Sequence, residues 1–182
     1  MLDLRLVLCR IGTTACLSLA AVAAGQASPA PPPDRAAILE AARELIGKAR
    51  YCGLVTLGPG GQPQARLVDP FTPEEDFTVW IATNPVTRKV KEIRDDGRVT
   101  LFYVDPGAQG YVTVIGKATL VSDPTEKARR WKDDWRAFYK DKNRGDDYQL
   151  IRVAPSRVEV VSYAHGILND PQTWRPMAVE LP

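Results

Sequence analysis

From residue 34 onward the apolar positions recur first with the period of a helix and then with that of strands. Ile38, Ala41, Ala42 and Leu45 form one stripe, with Arg35, Glu40, Arg43 and Glu44 mainly on the other side. That spacing predicts a packing helix over 34–48, capped by Asp34, with no chemistry of its own. From Tyr51 the pattern changes. Residues 51–57 and 64–68 read as strands joined by the turn Gly58-Pro59-Gly60-Gly61, and Asp69-Pro70-Phe71-Thr72-Pro73 breaks the second. A third strand is predicted over 77–83, where Phe77, Val79 and Ile81 alternate with Thr78, Trp80 and Ala82. Asn84-Pro85 turns the chain into a short helix, 87–94, with Val90 and Ile93 inward.

The run RVTLFYV, 98–104, is apolar at almost every position, which predicts a central strand covered on both faces. After a turn over 105–110, a long strand follows over 111–121, in which Gly116 predicts a bulge or bend. Asp123-Pro124-Thr125-Glu126 is a helix start with an acid at the cap and proline first in. The helix it opens places Ala128, Trp131, Trp135 and Phe138 on one face, a stripe that reads as core rather than as a cofactor box. A charged loop over 140–147 leads to two last strands, 148–153 and 157–163, on either side of Pro155; the tail from His165 has no clear period. Seven strands with three helices predict a mostly β fold, a small antiparallel barrel with peripheral helices.

The chain before this domain has a different character. Residues 4–24 carry no acid, Arg5 and Arg10 precede an apolar run over 15–24, and Gly25-Gln26-Ala27 supplies small residues. This is the pattern of a secretory signal over 1–27, cleaved after Ala27, followed by a stiff proline-rich linker over 28–33. The alternative is an uncleaved anchor, but Arg10 leaves the apolar stretch short of the roughly 20 residues a span requires. The expectation is therefore an exported protein, periplasmic or secreted, with no membrane association after cleavage and one domain over 34–182.

Composition narrows the chemistry. With 24 basic and 22 acidic residues the net charge is +2, so no global field selects nucleic acid. Cys9 and Cys16 lie in the signal, leaving Cys52 alone and predicted to be buried in a strand. His165 is the only histidine, which excludes multi-histidine zinc, iron and haem sites within one chain. No Gly-x-Ser-x-Gly elbow is present, so a hydrolytic triad has no presented nucleophile.

Thr87-Arg88-Lys89 stands out because it follows a strand and opens a helix. Cations oppose the dipole at a helix N-terminus, whereas an anion is favoured there. A bound phosphate would offset that cost, through a forked contact from Arg88, the point charge of Lys89 and the hydroxyl of Thr87. The competing reading is a solvated basic helix start paired with Glu92, and the residues alone leave the two in balance.

The run W-x-A-T-N-x-x-T-R-K-V-K-x-I-R-D-D-G-R-V-T-L-F-Y, 80–103, resembles the centre of the pyridoxamine-phosphate-oxidase-like FMN-binding split barrels, in particular their general stress protein 26 branch. Gly53-Leu54-Val55-Thr56-Leu57 and Gln62-Pro63-Gln64-Ala65-Arg66 match the first hairpin, and Tyr111-Val112-Thr113-Val114-Ile115-Gly116-Lys117-Ala118 matches the strand pair after the centre. The resemblance covers about 37–163. It implies a six- to seven-stranded antiparallel split barrel and a homodimer with FMN in grooves between subunits. Carried over by position, Arg66 lies near the flavin ring or ribityl chain. Ile81, Ala82 and Thr83 offer backbone groups to the ring, and Thr87, Arg88 and Lys89 hold the phosphate. For Arg66 the alternative is a surface pair with Glu74, Glu75 or Asp76.

The chain also departs from that pattern. Its end, TWRPMAVELP, lacks the Arg-Leu-x-Pro signature with which pyridoxamine phosphate oxidases bind substrate, so vitamin B6 oxidation is not expected. His165 and Trp174 follow the last strand, where they either fold over the groove or serve the tail. The leading expectation is a flavin-dependent oxidoreductase of unassigned substrate. The alternatives are a non-catalytic binding protein for FMN, a deazaflavin or haem, and a dimeric interaction module.

Overall fold

The computed structural model describes residues 33–107, 109–139 and 146–182; the expected signal, all but the last residue of the linker, and most of the charged loop at 140–147 lie outside the described residues. Helix α1 (Arg35–Lys48) begins where the Asp34 carboxylate accepts from the Ala37 N–H at 2.8 Å, a cap worth about 1 kcal/mol. The expected stripe is buried, joined by Ile46. It packs on the inner face of a single antiparallel sheet.

The seven strands are β1 (Cys52–Leu57), β2 (Pro63–Val68), β3 (Val79–Thr83), β4 (Arg98–Val104), β5 (Gly110–Val121), β6 (Gln149–Ser162) and β7 (Met177–Glu180). Their order is β2-β1-β4-β5-β6-β3, with β7 also pairing to β6, and the sheet curls into a half-barrel. Between β3 and β4 lies α2 (Arg88–Asp95), and after β5 comes α3 (Pro124–Arg129). Cys52 is buried in β1, as expected.

The bulge expected at Gly116 is present: the β5–β6 register shifts between Ile115 and Gly116. A Cβ on Gly116 would lie 2.2 Å from the Ala154 carbonyl oxygen, so the backbones meet there only if this residue is glycine. Pro155 is its partner across the ladder. A proline at a bulge has no ladder bond to lose, and β6 therefore continues for 14 residues as one strand, where the sequence predicts two.

Four further expectations are corrected. β3 begins at Val79 rather than at 77, and its expected alternation is absent, because Trp80 packs into the aromatic cluster while Val79 and Ile81 enter the main core, and Thr78 is buried as well. β4 is interior, but only one face is covered: Val99, Leu101 and Tyr103 are buried while Phe102 and Val104 are 40% and 50% exposed. A continuous apolar run cannot distinguish a doubly covered strand from one with an apolar open face. The helix expected through 138 ends at Arg129 and resumes only as a 3-10 turn at Asp133–Ala137. Ala128 and Phe138 are exposed, whereas Trp135 is buried. Edge-to-face and tilted packing of Trp131, Trp135, Tyr139 and Tyr148, with ring centroids 5.2–6.2 Å apart, sets this geometry in place of helical spacing. The tail, finally, contributes β7 although its sequence shows no period.

Candidate functional site

The pairing of β1 with β2 sets Leu54 opposite Arg66. α2 lies alongside, burying Val90, Glu92 and Ile93. Thr87 occupies its N-cap, yet its hydroxyl donates to the Asn84 carbonyl at 2.8 Å and caps no helical N–H. The helix N-terminus is thus without a side-chain acceptor.

Glu92 gathers the neighbouring cations. Its Oε2 accepts from Arg66 Nη2 at 2.7 Å and from the Thr56 hydroxyl, and Arg88 Nε lies 3.0 Å from Oε1. Arg66 donates also to Thr56 Oγ1 and, at 3.3 Å, to the Leu54 carbonyl. Burial pushes the Glu92 carboxyl up, but the hydrogen bonds from Thr56 and Arg66, with the charges of Arg66 and Arg88, outweigh it and hold the group below its ordinary value. At 3.0 Å Arg88 is ion-paired with Glu92, the pairing of the competing reading, and Arg66 pairs with Glu92 rather than with Glu74, Glu75 or Asp76.

Lys89 points elsewhere, because consecutive helical residues diverge by about 100°. Its Nζ donates to Thr83 Oγ1 at 2.9 Å, and that hydroxyl lies 3.2 Å from Thr87 Oγ1. Lys89 makes no ion pair among the described residues. Burial lowers its ammonium pKa, the charge of Arg66 lowers it further, and Glu92 only partly opposes them. Lys89 also lines a cavity of about 360 Å³ shared with Leu67, Ala82, Trp135, Phe138 and Tyr139.

The predicted residues therefore fall into two adjoining groups. Arg66 and Arg88 meet at Glu92; Thr83, Thr87 and Lys89 form a hydroxyl–ammonium cluster beside the cavity. Ala82 lines that cavity. Ile81 does not: its side chain is buried in the core and its backbone bridges to Pro70. Sequence reasoning weighed Glu92 only as a rival of the phosphate and missed that it binds both arginines. Its spacing of four from Arg88 was the available signal. Trp135 and Tyr139, which line the cavity, are also members of a buried aromatic core cluster, in line with the core reading of the stripe.

His165 is not at this site. Its Nδ1 lies 2.7 Å from Ser162 Oγ and its Nε2 2.8 Å from Glu44 Oε2. These are the residue types of a hydrolytic triad, but Ser162 is buried, its own N–H bonds Ile167, and the Tyr163 N–H bonds Gln109. With no accessible nucleophile and the adjacent N–H donors engaged, the chain fastens α1 to the end of β6. Trp174 is 77% exposed and does not staple the tail. Asp170 closes a local turn there, accepting from the Gln172 and Thr173 N–H groups.

The outer face of the sheet carries an exposed apolar patch at its β2–β1–β4 end, which gives way to Thr113 and Glu159 across β5 and β6. Register sets Leu67, Gly53 and Phe102 in one cross-strand row, and Leu67 is 70% exposed beside Phe102 and Val104.

Comparison with known proteins agrees with this architecture. The family model described as Pyridoxamine 5'-phosphate oxidase matches residues 38–162. A protein from Clostridium acetobutylicum related to general stress protein 26 superposes with a TM-score of 0.66 at 17% identity, over 81% of this chain and 96% of its own. A pyridoxamine 5'-phosphate oxidase-related, FMN binding protein from Nostoc punctiforme gives 0.58 at 17% identity, over 85% and 100%. A heme binding protein from Mycobacterium smegmatis gives 0.59 at 20% identity, over 81% and 59%. A search of curated proteins finds no match.

Proposed function

The chain belongs to the pyridoxamine 5'-phosphate oxidase family, and from that premise we propose that it binds FMN and works as a flavin-dependent oxidoreductase outside the cytoplasm. The observation that carries the reading is the charge around Lys89. Arg66, Arg88 and Lys89 set three positive charges against the carboxylate of Glu92, while Arg50 and Asp69, which line the cavity beside Lys89, offset each other. The excess of two suits a phosphate monoester, which carries about −1.5 to −2 at neutral pH. The residues present therefore fit the cofactor's phosphate.

Thr87, Arg88 and Lys89 would hold that phosphate from the two adjoining groups, and Arg66, beside Arg88 at Glu92, would add its charge from the side of the ribityl chain. Arg88 is 66% exposed, so its guanidinium has edges left after pairing with Glu92. Ala82 and the aromatic wall of Trp135 and Tyr139 would shelter the ring. The flavin supplies the electron chemistry; the chain binds it, orients it and excludes water. A homodimer, with the cofactor between subunits, is part of the proposal, supported by the open apolar face around Phe102. Export is supported by residues 1–27.

Haem fits less well. The only histidine is held between Ser162 and Glu44. Burial raises the Cys52 thiol to about 12, which disfavours the thiolate that would ligate iron. The visible spectrum of protein refolded with FMN tests the reading. The flavin bands should shift on binding; failure to bind at high micromolar FMN overturns it. Reduction of bound flavin by NADH or NADPH, followed by turnover with an acceptor, separates an enzyme from a carrier.

A further inference from the structure

We propose that Glu92 is a built-in counter-anion that regulates how tightly this site holds a phosphate; the inference rests on the phosphate reading above. Its side chain is 4% exposed and lies between α2 and the β1–β2 edge of the sheet. Oε2 is engaged by Thr56 and Arg66, while Oε1 accepts no hydrogen bond among the described residues, with Arg88 Nε 3.0 Å away. A phosphate held by Arg66 and Arg88 therefore shares both guanidinium groups with this carboxylate. Two like charges at such range raise each other's energy.

Arg66 is held by Leu54 and Thr56 as well as by Glu92. A neutral amide at 92 would keep an oxygen for Arg66 and Thr56, remove the negative charge and release Arg88, whose Nε would face the amide NH2 group. In the ligand-free protein Glu92 lies between Arg66 and Arg88, 2.7 and 3.0 Å from their nitrogens, and offsets the repulsion of like charges held this close. With phosphate bound it opposes the ligand and favours release. The effect is reciprocal by linkage: if the carboxylate weakens phosphate binding, bound phosphate makes Glu92 harder to ionise.

Wild type and Glu92→Gln are titrated with FMN, with inorganic phosphate, and with riboflavin, which lacks the phosphate. Glu92→Gln should tighten FMN and inorganic phosphate by about tenfold and leave riboflavin unchanged. A second measurement needs no variant: the carboxyl carbon resonance of Glu92 in the wild type should titrate at higher pH with phosphate bound than without. An FMN affinity that is unchanged or lower in folded Glu92→Gln overturns the proposal. So does a Glu92 titration that phosphate leaves in place or moves down. A wild type that holds FMN no better than riboflavin overturns the phosphate reading itself, and the counter-anion falls with it.

Discussion

Arg66 and Glu92 meet at 2.7 Å across the seam between β2 and α2. The pair joins a strand edge to a helix through nearly buried charges, so each depends on the other for compensation.

That dependence has a pH signature. Glu92 is lowered in the folded protein from 4.5, and the groups facing it are Thr56 from β1, Arg66 from β2, and Arg88 and Lys89 from its own helix. A depressed carboxyl contributes stability that is complete above its unfolded value and is lost as pH falls through its folded value. Urea denaturation from pH 7 down to below 4 should show this loss in the wild type and a flatter acid limb in Glu92→Gln. Glu92→Ala, which leaves Arg66 without its carboxylate, should cost about 3 kcal/mol at pH 7. An acid limb of the same slope in wild type and Glu92→Gln would contradict the assignment.

Gly116→Ala tests the bulge. The added methyl would fall 2.2 Å from the Ala154 oxygen and 2.8 Å from Pro155 Cα, both backbone atoms. β5 and β6 must separate to accept it, at a cost of about 3 kcal/mol, read as a lower thermal midpoint. A midpoint within a degree of the wild type would mean the two strands do not approach as described.

The outer face tests the association. Phe102 packs against Tyr111 with centroids 5.4 Å apart and remains 40% exposed, near Leu67 and Val104. A contiguous apolar face of this kind marks an interaction surface. Wild type should elute as a dimer by light scattering, and Phe102→Lys should shift it to monomer without loss of fold. A monomeric wild type removes the dimer from the account.

Export is tested by fractionation with N-terminal sequencing. The mature protein should begin at Ser28 and be found outside the cytoplasm. A full-length cytoplasmic product would contradict it.

The sequence made the local features legible. The Asp34 cap, the buried stripe of α1 and the glycine that marks the bulge are signalled by residues within a turn or two of each other. What it did not reveal depends on distance. Thr56 and Glu92 lie 36 positions apart and become partners only when the hairpin and α2 are assembled. The helix expected through 138 yields to a packing of four rings, one of which, Tyr148, comes from beyond the following loop. The open face of β4 has the same composition as a covered one, so only the fold distinguishes them. For the same reason Arg88 and Lys89 read as one phosphate grip in the sequence, while the helix turns them toward different neighbours.

The central claim is that this cluster holds a phosphate, and the difference between FMN and riboflavin measures it most directly. Spectral titration of the wild type should give FMN an affinity at least about tenfold above that of riboflavin, a margin of about 1.4 kcal/mol. Arg88→Ala with Lys89→Ala should abolish that margin by weakening FMN alone. Equal affinities in the wild type, or equal losses for both ligands in the double variant, would contradict the account.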